Sequence, residues 1–130
     1  MANNNIDALA NDIIYWCVDH GITDDWAVYA CGNAVTTWDT WHGEAGKKVE
    51  LNQVFNEPMV YWYGDKNPLD YFEYANPETV SMSFEGMLYE IVNDFGMEFP
   101  ELWESFNKIF EKYGYYYELG NAWNLTAAEL

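Results

Sequence analysis

The chain has 130 residues, and its 22 Asp and Glu residues against 5 lysines give a formal net charge of −17 at pH 7. It contains no arginine, the side chain that binds phosphate groups through a planar fork of donors. Because binding to DNA or RNA requires clustered cations, this composition excludes direct nucleic-acid binding and makes an anionic membrane an unsuitable partner. Half of the residues are hydrophobic and 19% are aromatic, so a folded core is expected rather than disorder.

Residues 1–130 are expected to form one domain, because this length is typical of a single domain and no linker or repeat interrupts it. Hydrophobic periodicity predicts an α+β fold, in which about three helices pack on an antiparallel sheet. Helical patterns cover residues 5–20, 87–95 and 100–113. Alternating or β-branched segments predict strands at 26–31, 34–38, 48–54, 59–63, 79–84, 115–119 and 122–125.

Glycine positions predict two tight turns in this sheet. The pair Gly32-Asn33 is expected to join the first two strands, and Gly120-Asn121 the last two. Residues 42–46 are predicted to be a loop. The side chains expected in the core are Ile13, Val28, Leu88, Phe106 and Ile109.

The two cysteines lie in apolar segments of the sequence. Cys17 and Cys31 are therefore predicted to be buried free thiols of a reducing compartment. The first residues contain neither a basic region nor an uninterrupted apolar segment, so no secretory signal is expected. A cytoplasmic location is therefore predicted. The apolar stretches are far shorter than the ~20 residues that cross a bilayer, so no membrane span is expected.

The most specific feature is a run of ten carboxylates between residues 65 and 104, in which Lys66 is the only cation. Several lie three or four positions apart on predicted helices, where like charges are about 5–6 Å apart and repel each other. Such unrelieved rows favour a partner-binding face that imitates the charge of DNA; a solvated face that only confers solubility is the alternative. The predicted partner-binding residues are Asp65, Asp70, Glu73, Glu78, Glu85, Glu90, Asp94, Glu98, Glu101 and Glu104.

Aromatic residues are grouped at 61–63, 71–74 and 115–117. Since neighbouring residues of a strand face opposite sides, some of these rings are expected to be exposed, although core packing explains most of them. Exposed tryptophan and tyrosine rings bind protein partners, and they also stack on sugars. A carbohydrate-binding module is therefore the second functional hypothesis.

The sequence gives little support to catalysis. Cys17 and His20 lie three positions apart and could form a nucleophile–base pair, but Cys17 belongs to an apolar helical face. His20 and His42, with Asp19 or Asp39, lack the close spacing of a metal site. No phosphate-binding loop or nucleophile elbow is found. We expect a protein that is not an enzyme and that uses no cofactor or metal.

The acidic residues and the missing arginines resemble those of the small acidic anti-defence proteins of phages and mobile elements, which include antirestriction DNA mimics and anti-CRISPR proteins. The resemblance lies in size, in charge and in carboxylates carried on a compact body, as in Glu85–Glu104. It implies an inhibitor whose partner is a basic nucleic-acid-handling protein, such as a CRISPR nuclease, with the inhibitor occupying its nucleic-acid channel. It implies no catalytic residue, and we expect a monomer or a small homo-oligomer.

Overall fold

A computed structural model of the chain describes residues 3–49 and 60–130, with side chains from residue 5 onward. The predicted α+β class is confirmed, since the described residues form three α-helices and a seven-stranded antiparallel sheet. The helices are α1 (Asn3–Asp19), α2 (Gly86–Asp94) and α3 (Pro100–Lys112). Among these residues, no helix has the length and the apolar character that crossing a membrane requires.

The sheet has the strand order β5-β6-β2-β1-β7-β9-β8. Strands β3 and β4 form a separate small hairpin. The strands are β1 (Trp26–Ala30), β2 (Asn33–Thr36), β3 (Thr40–Trp41), β4 (Glu44–Ala45), β5 (Lys47–Lys48), β6 (Tyr61–Tyr63), β7 (Ser81–Phe84), β8 (Tyr115–Asn121) and β9 (Asn124–Glu129).

The three helices cover one face of the sheet and build the main core against it. Val28 of β1 faces this core, together with the fully buried Ile13, Leu88 and Phe106. These four positions confirm the predicted core. Ile109 is only half-buried, because Phe106 and its α3 neighbour Phe110 occupy the centre of the contact.

The opposite face of the sheet is covered by connecting segments rather than by helices. Alternation along β1 turns Ala27 and Tyr29 toward this face, where they pack against buried Trp41, Tyr63 and Phe72. The covering segments are the β3–β4 hairpin region and the connection from β6 to β7, which contains the 3-10 helix Pro68–Asp70. The sheet thus lies between a layer of helices and a layer of connecting segments that are rich in aromatic residues.

The first hairpin turn lies one residue earlier than predicted. Ala30 pairs with Asn33, so the turn consists of Cys31 and Gly32, with φ values of 54° and 79°. Two consecutive positive φ angles are required by the turn type that fits the twist of a two-residue hairpin. The turn places Cys31 at the surface, and the prediction that this thiol is buried is wrong.

The last hairpin also turns at a different place from the predicted one. Strand β8 continues through Gly120 to Asn121, which pairs with Asn124, so Ala122 and Trp123 form the turn. The side-chain oxygen of Asn124 accepts a hydrogen bond from the Asn121 backbone N–H at 3.1 Å. This register leaves Trp123 at the tip of the hairpin, where it is partly exposed.

The middle of the chain departs from the prediction in two further respects. The segment 42–46 was predicted to be a loop, but residues 42–45 form the turn and second strand of the β3–β4 hairpin, with His42 and Gly43 at positive φ. Of the predicted strand 48–54, Lys48 lies in β5 and residues 50–54 lie outside the described ranges. Of the predicted strand 59–63, Tyr61–Tyr63 form β6, and residue 59 lies outside the described ranges.

Candidate functional site

The ten predicted partner-binding carboxylates are divided between the two layers of the protein. Asp65, Asp70, Glu73 and Glu78 belong to the β6–β7 connection, on the loop-covered side of the sheet. Those from Glu90 onward belong to α2, to α3 or to the link between them, on the helical side. Glu85 directly precedes α2 as its N-cap residue. The ten therefore form two groups rather than one continuous face, with Glu85 between them.

Nearly all of these carboxylates are free for contact. Nine of the ten residues are exposed, and Asp94 is half-buried. The ion pairs among the described residues are Lys66–Glu44, at 2.9 Å, and Lys112–Asp12, at 3.0 Å. None of the ten carboxylates therefore has a lysine partner in the part of the chain that the structure describes.

Asp94 differs from the other nine because its carboxylate stabilises the fold. Its Oδ2 atom accepts hydrogen bonds from the backbone N–H groups of Glu98 and Phe99, the latter at 3.2 Å. These residues lie in the link that leads into α3, where backbone N–H groups have no helical partner. Asp94 thus connects the end of α2 to the start of α3.

A pocket of about 300 Å³ lies on the loop-covered side of the sheet. We call it the aromatic pocket, because seven phenylalanine, tyrosine and tryptophan rings line most of it. Trp38 is half-buried and Tyr71 and Trp123 are exposed, whereas the other four are buried. The seven are Tyr29, Trp38, Trp41, Tyr71, Phe72, Phe84 and Trp123.

The rings of the aromatic pocket contact one another in mostly edge-to-face arrangements. The Trp41 ring centroid lies 5.0 Å from that of Trp38 at an interplanar angle of 78°, and 5.1 Å from that of Tyr71. Phe72 lies 5.6 Å from Tyr29 and 5.8 Å from Trp123, in both cases edge to face. Such pairs contribute about 0.5–1.5 kcal/mol each beyond their burial, so the pocket walls are held by mutual packing.

Two acidic residues also line the aromatic pocket. Asp25 and Glu85 are both lining residues and both are exposed. The Glu85 backbone N–H donates to the Asp25 carbonyl oxygen at 2.9 Å, which holds the two residues side by side. Next to them, the carboxylates of Asp24 and Asp25 each lie 3.9 Å from the position that a Cβ atom of Gly86 would occupy. The carboxylates of Asp24 and Asp25 thus both lie close to the first residue of α2.

No protein-family model, curated protein or solved structure matches this chain.

Tyr29 is a buried residue of the pocket lining that carries a phenol hydroxyl. Burial raises the pKa of Tyr29 to about 12, and the neighbouring Tyr71 phenol acts in the same direction, while a hydrogen bond with Ser83 partly opposes them. A phenol with this pKa stays neutral at physiological pH. The negative charge near the pocket therefore comes from its carboxylates, and Tyr29 contributes a neutral dipole.

The catalytic pair considered from the sequence does not form. Cys17 is fully buried, and burial raises the pKa of its thiol far above the usual range, which opposes formation of the reactive thiolate. The His20 Nδ1 atom lies 2.7 Å from the Trp16 carbonyl oxygen, so it is engaged with the backbone of its own helix. Within the described residues, no group of three or more His, Cys, Asp or Glu side chains is placed to hold a metal ion.

The sequence prediction missed the aromatic pocket and the acids Asp24 and Asp25 beside Glu85. The residues that form it come from five separate parts of the chain, so no local spacing reveals it. One signal was present: residues 38–42 contain two tryptophans and a histidine in a segment with several turn-forming residues. Aromatic residues at that density between a predicted strand and a predicted loop indicate that the segment packs against other parts of the fold.

Proposed function

We propose that the protein acts by binding a basic, nucleic-acid-handling protein, in competition with the nucleic acid of that partner. The observation that carries the proposal is that nine of the ten carboxylates of residues 65–104 are exposed, and that none of the ten has a lysine partner among the described residues. Natural surfaces ordinarily intersperse charges of both signs, and opposite-charge pairs at helical spacing are stabilising. A surface that has neither interspersed positive charges nor opposite-charge pairs is suited to a cationic partner.

The physical basis is electrostatic complementarity. Clustered charges of one sign accelerate encounter with an oppositely charged surface, and the effect weakens as salt rises. A groove that receives nucleic acid is lined with lysine and arginine, because each neutralised phosphate releases a counterion. Carboxylates fixed on α2 and α3 present to such a groove the same negative charge as the phosphates of nucleic acid. The resemblance to DNA-mimic inhibitors leads to a CRISPR nuclease as the first partner to test.

The experiment is inhibition of DNA binding by a panel of purified RNA-guided nucleases and restriction enzymes. We expect the chain to block duplex binding by at least one of them, with an inhibitory concentration that rises as the duplex concentration is raised. Inhibition that is independent of duplex concentration would contradict competition for the same groove. The absence of inhibition across the panel, together with no nucleic-acid-binding protein captured from a bacterial lysate, would contradict the proposal.

Matched variants separate a defined acidic surface from general acidity. Glu90→Gln, Glu101→Gln and Glu104→Gln neutralise three exposed carboxylates of α2 and α3. Asp94 is left unchanged because it carries backbone hydrogen bonds. The control variant neutralises three exposed carboxylates outside the segment, none of which makes a side-chain hydrogen bond among the described residues: Asp19→Asn, Glu118→Gln and Glu129→Gln.

Carbohydrate binding remains the second candidate, because partly exposed aromatic side chains are present. Trp62 is 38% exposed, but the Lys47 Nζ atom lies 5.7 Å from its ring centroid and Gly64 packs closely against it. A sugar would have to displace the lysine from that ring. Titration with a panel of oligosaccharides is expected to show no specific binding, and micromolar binding that is lost in Trp62→Ala would favour this candidate instead.

A further inference from the structure

The aromatic pocket combines two features that attract the same chemical group. Aromatic rings form most of its lining, and Asp25 and Glu85 are also lining residues. A cation is attracted both by the negative face of an aromatic ring and by a carboxylate. We infer that the aromatic pocket binds the guanidinium group of an arginine side chain presented by the basic partner.

The protein already places one of its own cations against the same aromatic cluster. The Lys66 Nζ atom lies 5.1 Å from the Trp41 ring centroid and 5.8 Å from that of Tyr63, within the distance of a cation–π interaction. The same ammonium group forms an ion pair with Glu44 at 2.9 Å. Lys66 thus contacts both aromatic rings and a carboxylate. We infer the same arrangement for a guanidinium group in the pocket, with Trp41 among the rings and Asp25 and Glu85 as the acidic residues.

The size and the polarity of the pocket favour arginine over other ligands. A volume of about 300 Å³ is at the lower limit of ligand pockets, so it suits one side chain rather than an oligosaccharide. A guanidinium group is planar, weakly hydrated and able to stack on rings while it bonds a carboxylate with two N–H groups. A lysine ammonium is more strongly hydrated and lacks the planar fork. The chain itself has no arginine, so no internal guanidinium competes for the site.

The backbones of Asp25 and Glu85 are held next to each other by a hydrogen bond. Asp25 has a φ of 61°, a conformation that Asp and Asn adopt more readily than most residues. Its carbonyl oxygen accepts the Glu85 N–H at 2.9 Å. Since Asn tolerates the same backbone angle, Asp25→Asn and Glu85→Gln remove the charges while keeping the conformation. They are therefore suitable test substitutions.

The first test uses small probes and the intact chain without any partner. The probes are N-acetyl-arginine amide and N-acetyl-citrulline amide, which have nearly the same shape but differ in charge. Binding is followed by NMR through the indole N–H signals of Trp38, Trp41 and Trp123. For a ligand of this size we expect a dissociation constant on the order of 1 mM. We expect the citrulline probe to bind at least tenfold more weakly.

The second test assigns binding to the pocket. The double variant Asp25→Asn/Glu85→Gln is expected to weaken binding of the arginine probe at least tenfold, and Tyr71→Leu to weaken it severalfold. The controls are Glu118→Gln/Glu129→Gln and Tyr116→Leu, which change exposed residues outside the pocket and should leave binding unchanged. Equal binding of both probes, unchanged binding in the double variant, or preference of the pocket for a sugar or an apolar probe would each overturn the inference. Melting curves identify any variant that does not fold. If the double variant does not fold, binding of the arginine probe to Tyr71→Leu decides whether the pocket is the binding site.

This inference rests on the proposed function for the protein that supplies the arginine, but the two fail in different ways. If the arginine probe binds and no basic partner is inhibited, the proposed function fails and the pocket remains. If a partner is bound equally well by the wild type and by Asp25→Asn/Glu85→Gln, the inference fails and the proposed function remains.

Discussion

Replacing Asp94 with alanine should destabilise the protein although it removes a negative charge from a strongly negative chain. The Asp94 carboxylate accepts backbone hydrogen bonds from Glu98 and Phe99 at the start of α3. Hydrogen bonds to charged groups contribute about 1.5–3 kcal/mol each, and the low end applies because Asp94 is only half-buried. Relief of repulsion with Glu90, four residues earlier, returns a few tenths of a kcal/mol. The expected net loss is about 2.5 kcal/mol.

The assay is urea unfolding followed by tryptophan fluorescence. With a slope of about 2 kcal/mol per M, a loss of this size lowers the midpoint by about 1.2 M. Asp94→Asn keeps one acceptor oxygen and should lose less. The matched control is Glu90→Ala, which removes an exposed charge that makes no side-chain hydrogen bond among the described residues and should leave the midpoint unchanged or slightly higher. If Asp94→Ala and Glu90→Ala shift the midpoint equally, Asp94 is an ordinary surface acid and the reasoning is refuted.

Two further predictions follow from the titratable groups. Burial raises the pKa of Tyr29 from 10.0 to about 12, so as the pH rises this phenol ionises in the unfolded chain before it does in the native state. The contribution of Tyr29 to the free energy of unfolding should therefore be constant below pH 10 and fall by roughly 2–3 kcal/mol between pH 10 and 12. Urea unfolding across that range should show a shallower fall in Tyr29→Phe, and identical slopes would contradict the assignment. Cys31 is exposed and its thiol donates a hydrogen bond to Asp7 Oδ1 at 3.2 Å; partial burial and Asp7 both raise the pKa of the thiol. In the native state a disulfide reagent should modify Cys31 and leave buried Cys17 unmodified, and Asp7→Asn should accelerate the modification of Cys31. Modification of both thiols at equal rates would show that Cys17 is accessible.

The elements that the sequence predicts well are those that depend on local periodicity. The apolar stripe of α1 identifies Ile13 and its neighbours as core, and the alternation in β7 identifies its buried face. Turns were predicted one or two residues away from their positions, because the choice of hairpin register depends on cross-strand pairing. At Cys31, a non-glycine residue adopts a positive φ, which a propensity argument assigns to glycine or asparagine.

The acidic surface and the aromatic pocket differ in how far sequence reasoning can reach. Exposure of a carboxylate follows from its chemistry, so nine of the ten predicted residues are exposed as such an argument expects. The role of Asp94 depends on where the α2–α3 link directs its N–H groups, which spacing alone does not reveal. The pocket requires the β1 strand, the β3–β4 hairpin and the β8–β9 turn to meet, and this follows only from the strand order.

The most direct measurement of the central claim is the dissociation constant between this chain and the nuclease whose DNA binding it blocks. It is compared for the wild type, for Glu90→Gln/Glu101→Gln/Glu104→Gln and for Asp19→Asn/Glu118→Gln/Glu129→Gln. If the carboxylates of α2 and α3 form the recognition surface, the first variant should bind at least tenfold more weakly, which corresponds to about 1.4 kcal/mol, and the second should bind nearly as the wild type does. Equal weakening in both variants, or no weakening in either, would contradict the claim that these carboxylates form a defined binding surface.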